Sequence, residues 1–373
     1  MSGLERAWWS QREPWKPRAA LALLLPLEAL FRAGVAGRGL LYTQGWIGSA
    51  RVAAPVISVG NLAVGGAGKT PAVLAIAQRL QRQGRSPAIL SRGYGAVRSD
   101  PRLVASRDQV FLDAEEGGDE PVLLARRLPG VPVLCGPNRA ALARRAVAEL
   151  GVDALLLDDG FQHRALARDL DVVVIDASNP FGNGHLLPRG PNREPASALR
   201  RADLVWLTHV DAASPEGLGA LREQAQRATG RPPVESRHAV AEVLGAGLDQ
   251  PCGAESLRGR RVLLLSALAR PAGFRRTVAS LGAEVVAERT FRDHHRFTEA
   301  ELDEALRTAA KAGCDRVVTT EKDAVRLPAA AAQDDRVCVV RIEAEILAGE
   351  TVLQEELARA LALRAGNSKR RRA

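Results

Sequence analysis

The chain has 373 residues, 46% hydrophobic and 25% charged, with a formal net charge of +9 and a pI near 10.1. This usage excludes disorder and leaves enough chain for two domains with cores of their own. The basic excess, carried mainly by arginine, points to an anionic partner, and 14 aromatics with no basic run interleaved among stacking residues argue against nucleic acid.

The first 45 residues are rich in Leu and Ala between Arg18 and Tyr42, but Pro26, Glu28, Arg32 and Arg38 interrupt them. The longest uncharged run there, Ala19 to Leu27, is too short to span a bilayer, and no small-residue cleavage site follows it. Trp8, Trp9, Trp15, Leu23, Leu24, Leu27, Phe31 and Leu41 alternate with Arg and Lys. This pattern suits an amphipathic helix in a membrane interface, and equally one docked on the protein's own core.

Next comes the densest signal. An apolar run, Val56 to Val59, ends at Gly60; a glycine-rich loop reaches Gly68-Lys69-Thr70; and a helical pattern runs from Ala72 to Leu80. Strand, loop and helix in this order make a phosphate cradle. The backbone of Ala63, Val64, Gly65, Gly66, Ala67 and Gly68 can close around phosphate oxygens, Lys69 can reach the β/γ-phosphates, and the Thr70 hydroxyl can ligand Mg²⁺. The first glycine of GxxxxGK[ST] is replaced by Ala63. Val64 stands where partition-type ATPases carry a signature lysine, which argues against that class.

Short apolar runs at 88–90, 133–135, 154–157, 172–175 and 204–207 follow, with helical patterns such as 139–150 between them. They predict a doubly wound, mostly parallel α/β domain over 46–230 with ligands at the carboxyl ends of its strands. Asp158 and Asp159 end one strand, as metal-holding carboxylates or as an Asp-Gly turn with Gly160. Asp119, in Gly118-Asp119-Glu120-Pro121, precedes an apolar helix, as an N-cap or as a carboxylate near the γ-phosphate.

The polar stretch 212–233 predicts a boundary, and 231–373 a smaller α/β domain. Its strands are expected at 262–265, 284–287, 317–319 and 337–342, and its helices at 274–281 and 299–312. A terminal helix over 351–364 could close either domain. His294 and His295 lie on a loop before Thr298 and Glu299 open a helix. Cys135, Cys252, Cys314 and Cys338 are widely spaced, which indicates neither a zinc site nor a disulfide framework and suits a reducing compartment.

Taken together, these pieces resemble the tetraacyldisaccharide 4′-kinases of Gram-negative bacteria. The resemblance rests on Ser58-Val59-Gly60-Asn61-Leu62, the loop through Pro71, Ser91-Arg92-Gly93-Tyr94-Gly95 and Gly118-Asp119-Glu120-Pro121. It continues through Asp158-Asp159-Gly160-Phe161-Gln162-His163, Phe181-Gly182-Asn183-Gly184, Leu187-Pro188-Arg189-Gly190-Pro191, Asp293-His294 and Thr320-Glu321-Lys322-Asp323-Ala324-Val325. Members of that family do not require glycine at the Ala63 position. The resemblance implies ATP- and Mg²⁺-dependent phosphorylation of the 4′-hydroxyl of a tetraacylated glucosamine disaccharide 1-phosphate. It places the reaction at the cytoplasmic face of the inner membrane, in a site between two α/β domains. It implies an Asp119–His294 catalytic dyad supported by Lys69, metal at Thr70, Asp158 and Asp159, and glycolipid contacts at Arg92, Tyr94, Asn183 and Arg189, with Arg193 a further candidate. The expected protein is a monomer bound peripherally to the membrane by residues 1–45. Two other classes compete: a membrane-recruited regulatory P-loop ATPase without a small-molecule acceptor, and a soluble metabolite kinase that would leave residues 1–45 without purpose.

Overall fold

The structure, a computed structural model, describes residues 8–9, 21–93, 96, 100–268 and 271–370, without the side chains of 254 and 364–370. Twelve strands form one sheet: β1 (Val56–Gly60), β2 (Pro87–Ser91), β3 (Arg102–Ala105), β4 (Val133–Cys135), β5 (Ala154–Asp158), β6 (Leu170–Asp176), β7 (Leu204–Thr208), β8 (Val234–Gly245), β9 (Arg261–Ser266), β10 (Glu284–Thr290), β11 (Arg316–Thr320) and β12 (Val337–Ala348). Their order is β10-β9-β11-β12-β8-β7-β6-β1-β5-β2-β4-β3. Neighbours are parallel except β8 with β12 and β3 with β4. Strands β1, β2, β5, β6 and β7 are buried along their whole length, as continuous apolar runs covered by helices on both faces should be. From β1 the chain moves towards β2 on one side, and from β6 towards β7 on the other, so the winding reverses between the neighbours β1 and β6, the place where such sheets bind ligands.

One face of the nucleotide half is packed by Ile57, Ile76, Leu80, Leu124 and Trp206, and the other by Val56, Leu142 and Leu155 beside Leu62, Phe161 and Leu207. The terminal helix Glu350–Arg370 adds Leu353 and Leu357 to the first of these cores, and Arg79 holds its start through Glu350 at 2.6 Å. It therefore closes the first half, a choice that the sequence left open.

The polar stretch 212–233 is mostly the helix Pro215–Thr229, capped by Ser214, whose Oγ accepts from the backbone N–H of Gly217. Only Leu221 and Ala225 of that helix are buried, so its composition reads like a linker. Strand β8 was not foreseen either. It carries Glu235, Arg237, His238 and Glu242 among its apolar residues and pairs with β12 from Gly245↔Cys338 to Glu235↔Ala348. This antiparallel ribbon makes the two groups of parallel strands one sheet.

Candidate active site

The phosphate loop ends in Gly68, which caps the helix Lys69–Arg82 in the left-handed region at φ 81°, with no side chain on the helix N–H groups. Those open N–H groups and the helix dipole are what a phosphate would satisfy. The first part of the loop is braced by a second segment. Val64 N donates to Pro191 O at 2.8 Å, Arg193 N donates to Leu62 O at 2.7 Å, and Ala63 forms an antiparallel bridge with Asn192.

Gly60 lets the turn after β5 cross the loop closely. A Cβ there would lie 2.6 Å from both Cβ and N of Phe161. The crossing brings Asp158 and Asp159 to the cradle, and their environments differ. Asp159, at φ 54°, accepts both arms of Arg193 at 2.8 Å and lies 3.3 Å from Lys69 Nζ. Burial would raise its carboxyl, but Lys69 and Arg193 outweigh burial and hold it well below the usual carboxylate range. Asp158 accepts from Ser91 Oγ at 3.0 Å on Oδ2, while Oδ1 is buried with no hydrogen-bond partner among the described residues. Burial, reinforced by Glu120 and Asp159, pushes the Asp158 carboxyl up to about 7. A buried, orphaned carboxylate oxygen of this kind fits a divalent cation, which would supply the missing charge. Thr70, in the first turn of the helix, is half-buried.

Asp119 is the first residue of the helix Asp119–Arg127, entered through Gly118 at φ 88°. It is not a side-chain cap, the other role its place before an apolar helix suggested. Only 3% exposed, it meets His294, whose Nδ1 lies 2.8 Å from Asp119 Oδ2 across 175 residues of sequence. An ionised carboxylate only accepts, so Nδ1 is the protonated nitrogen in this contact. His294 itself sits at φ 63°. His295 faces away: its Nε2 lies 3.0 Å from Glu301, and its ring stacks on Phe291 with centroids 4.5 Å apart. Glu301 closes a capping box with Thr298, so the second histidine belongs to a helix start.

Of the expected glycolipid contacts, Tyr94 lies outside the described residues. Arg92 follows β2 and is exposed. Asn183 is held in a tight loop, donating to Arg189 O at 3.1 Å from Nδ2 and to Trp8 O at 2.8 Å from its backbone. Arg189 turns to the N-terminal helix Leu25–Thr43, 3.3 Å from buried Glu28.

Several residues of the site are not evident from the sequence. Arg139 is 5% exposed, and burial and then Arg92 lower its pKa. His163 is pulled down to about 4 by burial and then by Arg139 and Arg168. Arg139 and Arg92 thus place two guanidinium groups near the carboxyl ends of β2 and β4, while the His163 ring stays neutral. Arg326 is fully buried behind Asp119. His163 and the residues just before Arg326 stand inside the family-like motifs, but nothing local marks them as buried.

A profile described as "LpxK: Tetraacyldisaccharide-1-P 4'-kinase" matches residues 20–362. Among curated relatives, the tetraacyldisaccharide 4'-kinase of Anaeromyxobacter sp. (strain Fw109-5) is 64% identical over 362 residues, covering 97% of each chain. That of Syntrophus aciditrophicus is 42% identical, covering 86% of this chain and 88% of its own. The crystal structure of Aquifex aeolicus LpxK in complex with ATP superposes with a TM-score of 0.75 at 30% identity, covering 92% of this chain and 99% of that one.

Proposed function

The chain belongs to the tetraacyldisaccharide-1-P 4'-kinase family, and we propose that Asp119 is its general base, oriented by His294. The enzyme transfers the γ-phosphate of ATP to the 4′-hydroxyl of a tetraacylated glucosamine disaccharide 1-phosphate, giving the 1,4′-bisphosphate. The observation that carries the assignment of roles is the 2.8 Å contact between His294 Nδ1 and Asp119 Oδ2, which brings together residues from the two halves of the chain.

A sugar hydroxyl is a poor nucleophile, and phosphoryl transfer needs position, charge and a proton acceptor. Asp119 takes the hydroxyl proton as the oxygen attacks the γ-phosphorus and the bond to the β-bridging oxygen breaks, releasing ADP. His294 fixes the plane of the carboxylate. Lys69 and the loop N–H groups hold the phosphates, and Asn61 and Asp159 aim Lys69, at 3.2 and 3.3 Å. Mg²⁺, the family's metal, would be held by Thr70 and Asp158 and would neutralise phosphate charge. Asp159 is already neutralised by Arg193 and Lys69, so it serves to position them.

Among the described residues, no helix is long and apolar enough to cross a membrane. The helix Leu25–Thr43 nevertheless exposes Leu25, Leu27, Leu30 (72%) and Leu40, with Leu23 (81%) just before it and Trp46 just after. Glu28 faces the protein instead. We read this surface as the peripheral docking face for the inner-membrane leaflet that holds the four-chain substrate. In the same reading, a monomer uses residues 46–230 for ATP and 231–373 to bring His294, with the terminal helix of the second segment packed on the first.

ATP turnover with and without the tetraacyl disaccharide 1-phosphate in detergent micelles tests the function. ADP release should require the lipid and match the phosphorylated lipid mole for mole. Lipid-independent ATP hydrolysis at the same rate would favour the regulatory ATPase instead.

A further inference from the structure

The segment 320–326 follows β11, far along the chain from the nucleotide loop, and the phosphoryl-transfer chemistry gives it no task. Its interior is unusual. Thr320 Oγ1 accepts from Asp323 N at 3.1 Å and donates to Asp323 Oδ2 at 2.7 Å, capping the short helix Glu321–Ala324. The side chains of Asp323 and Arg326 are both fully buried, and Arg326 Nη2 donates to Asp323 Oδ1. Burying a guanidinium costs several kcal/mol unless it is paired and hydrogen-bonded. Asp323 offsets that charge, but the rest of the guanidinium is not used up. Nε and Nη1 have no hydrogen-bond partner among the described residues. The Nε edge faces Asp119, 3.5 Å from Oδ2, too long for a good hydrogen bond but close for a charge in a dry interior.

We propose that Arg326 is a positioning residue for the general base, held in place by the turn at 320–326. The proposal rests on Asp119 being that base. Two groups converge on one carboxylate oxygen: His294 Nδ1 at 2.8 Å from the solvent side and Arg326 Nε from the interior. No described donor holds Oδ1. Held at Oδ2 by the His294 hydrogen bond on one side and the buried Arg326 charge on the other, the carboxylate is restrained from rotating, which leaves Oδ1 to accept the hydroxyl proton.

The same turn reaches the surroundings of both dyad members. Lys322 Nζ lies 3.6 Å from Glu120 Oε1, next to Asp119, and 3.7 Å from Asp293 Oδ1, next to His294. Glu321 accepts from Arg127 at 2.7 Å and from Arg341 at 2.9 Å. Arg127 ends the helix that Asp119 begins. One turn therefore grips the base's helix at both ends together with the histidine loop, although base and histidine come from different halves of the chain.

Arg326→Lys keeps the charge and loses the fork; Arg326→Gln loses both. Each should be measured in the wild-type and Asp119→Asn backgrounds for kcat, for KM of ATP and of lipid, and for melting temperature. We expect kcat to fall about tenfold for Lys and about a hundredfold for Gln, with both KM values within about twofold. In Asp119→Asn enzyme, neither change should lower the residual rate by more than about twofold, because the residue it positions is gone. A purely structural arginine would lower melting and leave kcat of the folded fraction alone. Unchanged kcat, or a loss that adds in full to that of Asp119→Asn, overturns the proposal. If Arg326→Gln does not fold, Arg326→Lys and Lys322→Ala are read by the same criteria, and unchanged kcat in both overturns it. Normal turnover in Asp119→Asn itself would instead overturn the base assignment, whereas an inactive Asp119→Asn beside fully active Arg326 variants removes only the positioning role.

Discussion

Two adjacent aspartates show how little residue type decides by itself. Asp158 and Asp159 share a turn, yet one has a buried orphan oxygen and the other is clamped by two cations. Asp158→Asn should therefore lose activity that raised Mg²⁺ or Mn²⁺ partly restores, since mass action offsets a weakened ligand set. Asp159→Asn should lose activity that metal does not restore, because Lys69 and Arg193 lose their counter-charge. Activity against Mg²⁺ and Mn²⁺ concentration checks both, and equal rescue of the two would make both carboxylates metal ligands. The sequence revealed that this pair matters, from a strand that ends in Asp-Asp-Gly after a phosphate loop. It could not separate them, because the separation depends on Arg193, 34 residues later. It chose His294 over His295 through a motif, and the physical reason, His295's contact with Glu301, is visible only in three dimensions. Arg326 was out of reach: a buried arginine in sequence looks like any surface arginine.

At the scale of elements, the helix Leu25–Thr43 has two faces with separate duties. Leu27→Glu with Leu30→Glu should weaken binding to anionic vesicles at least about tenfold and leave melting unchanged, because those side chains are already in water. Glu28→Ala should do the reverse. It removes the acceptor of Leu186 N at 3.1 Å, Arg32 at 2.8 Å and Arg189 at 3.3 Å, at a cost of about 1–3 kcal/mol, read as a lower melting temperature. Vesicle flotation and thermal melting separate the two; a leucine pair that binds vesicles normally would remove the docking role. The sequence left these faces undecided, since the same alternation serves a membrane or a core, and Glu28 read as an interruption.

Strand β8 has a further consequence, through pH. Burial and then His209 hold His238 down to about 3, and burial and then Arg139 hold His163 down to about 4, against an ordinary value of 6.5. Both rings are kept neutral in the folded state, whereas the unfolded chain protonates them near pH 6.5. Their contribution is therefore complete above pH 6.5 and is lost as pH falls towards 3. A His163→Gln/His238→Gln variant should melt with a shallower fall between pH 7 and pH 5 than the wild type. Parallel melting curves against pH would show that neither ring stays neutral on folding.

At the scale of the molecule, two groups of parallel strands become one sheet through β8 and β12. The fold class was legible, because buried parallel strands are short apolar runs and their spacing leaves room for helices. Of the ribbon, the start of β12 was legible at 337–342, but β8 was not, because Glu235, Arg237, His238 and Glu242 break up its apolar residues. Nor was the helix Pro215–Thr229, whose polar face hid it among linker residues. The join matters for chemistry: Asp119 comes from one side of it and His294 from the other, and they meet at 2.8 Å.

The central claim is that these two residues act as one unit, and a double-mutant cycle tests it most directly. Single-turnover phosphoryl transfer to the tetraacyl disaccharide 1-phosphate should be measured at saturating ATP and lipid for Asp119→Ala, His294→Ala and the double variant. Asp119→Ala should cost at least as much as His294→Ala, and the double variant should be little slower than Asp119→Ala alone. Losses that multiply in full would mean that the aspartate and the histidine do separate jobs, and would contradict the dyad.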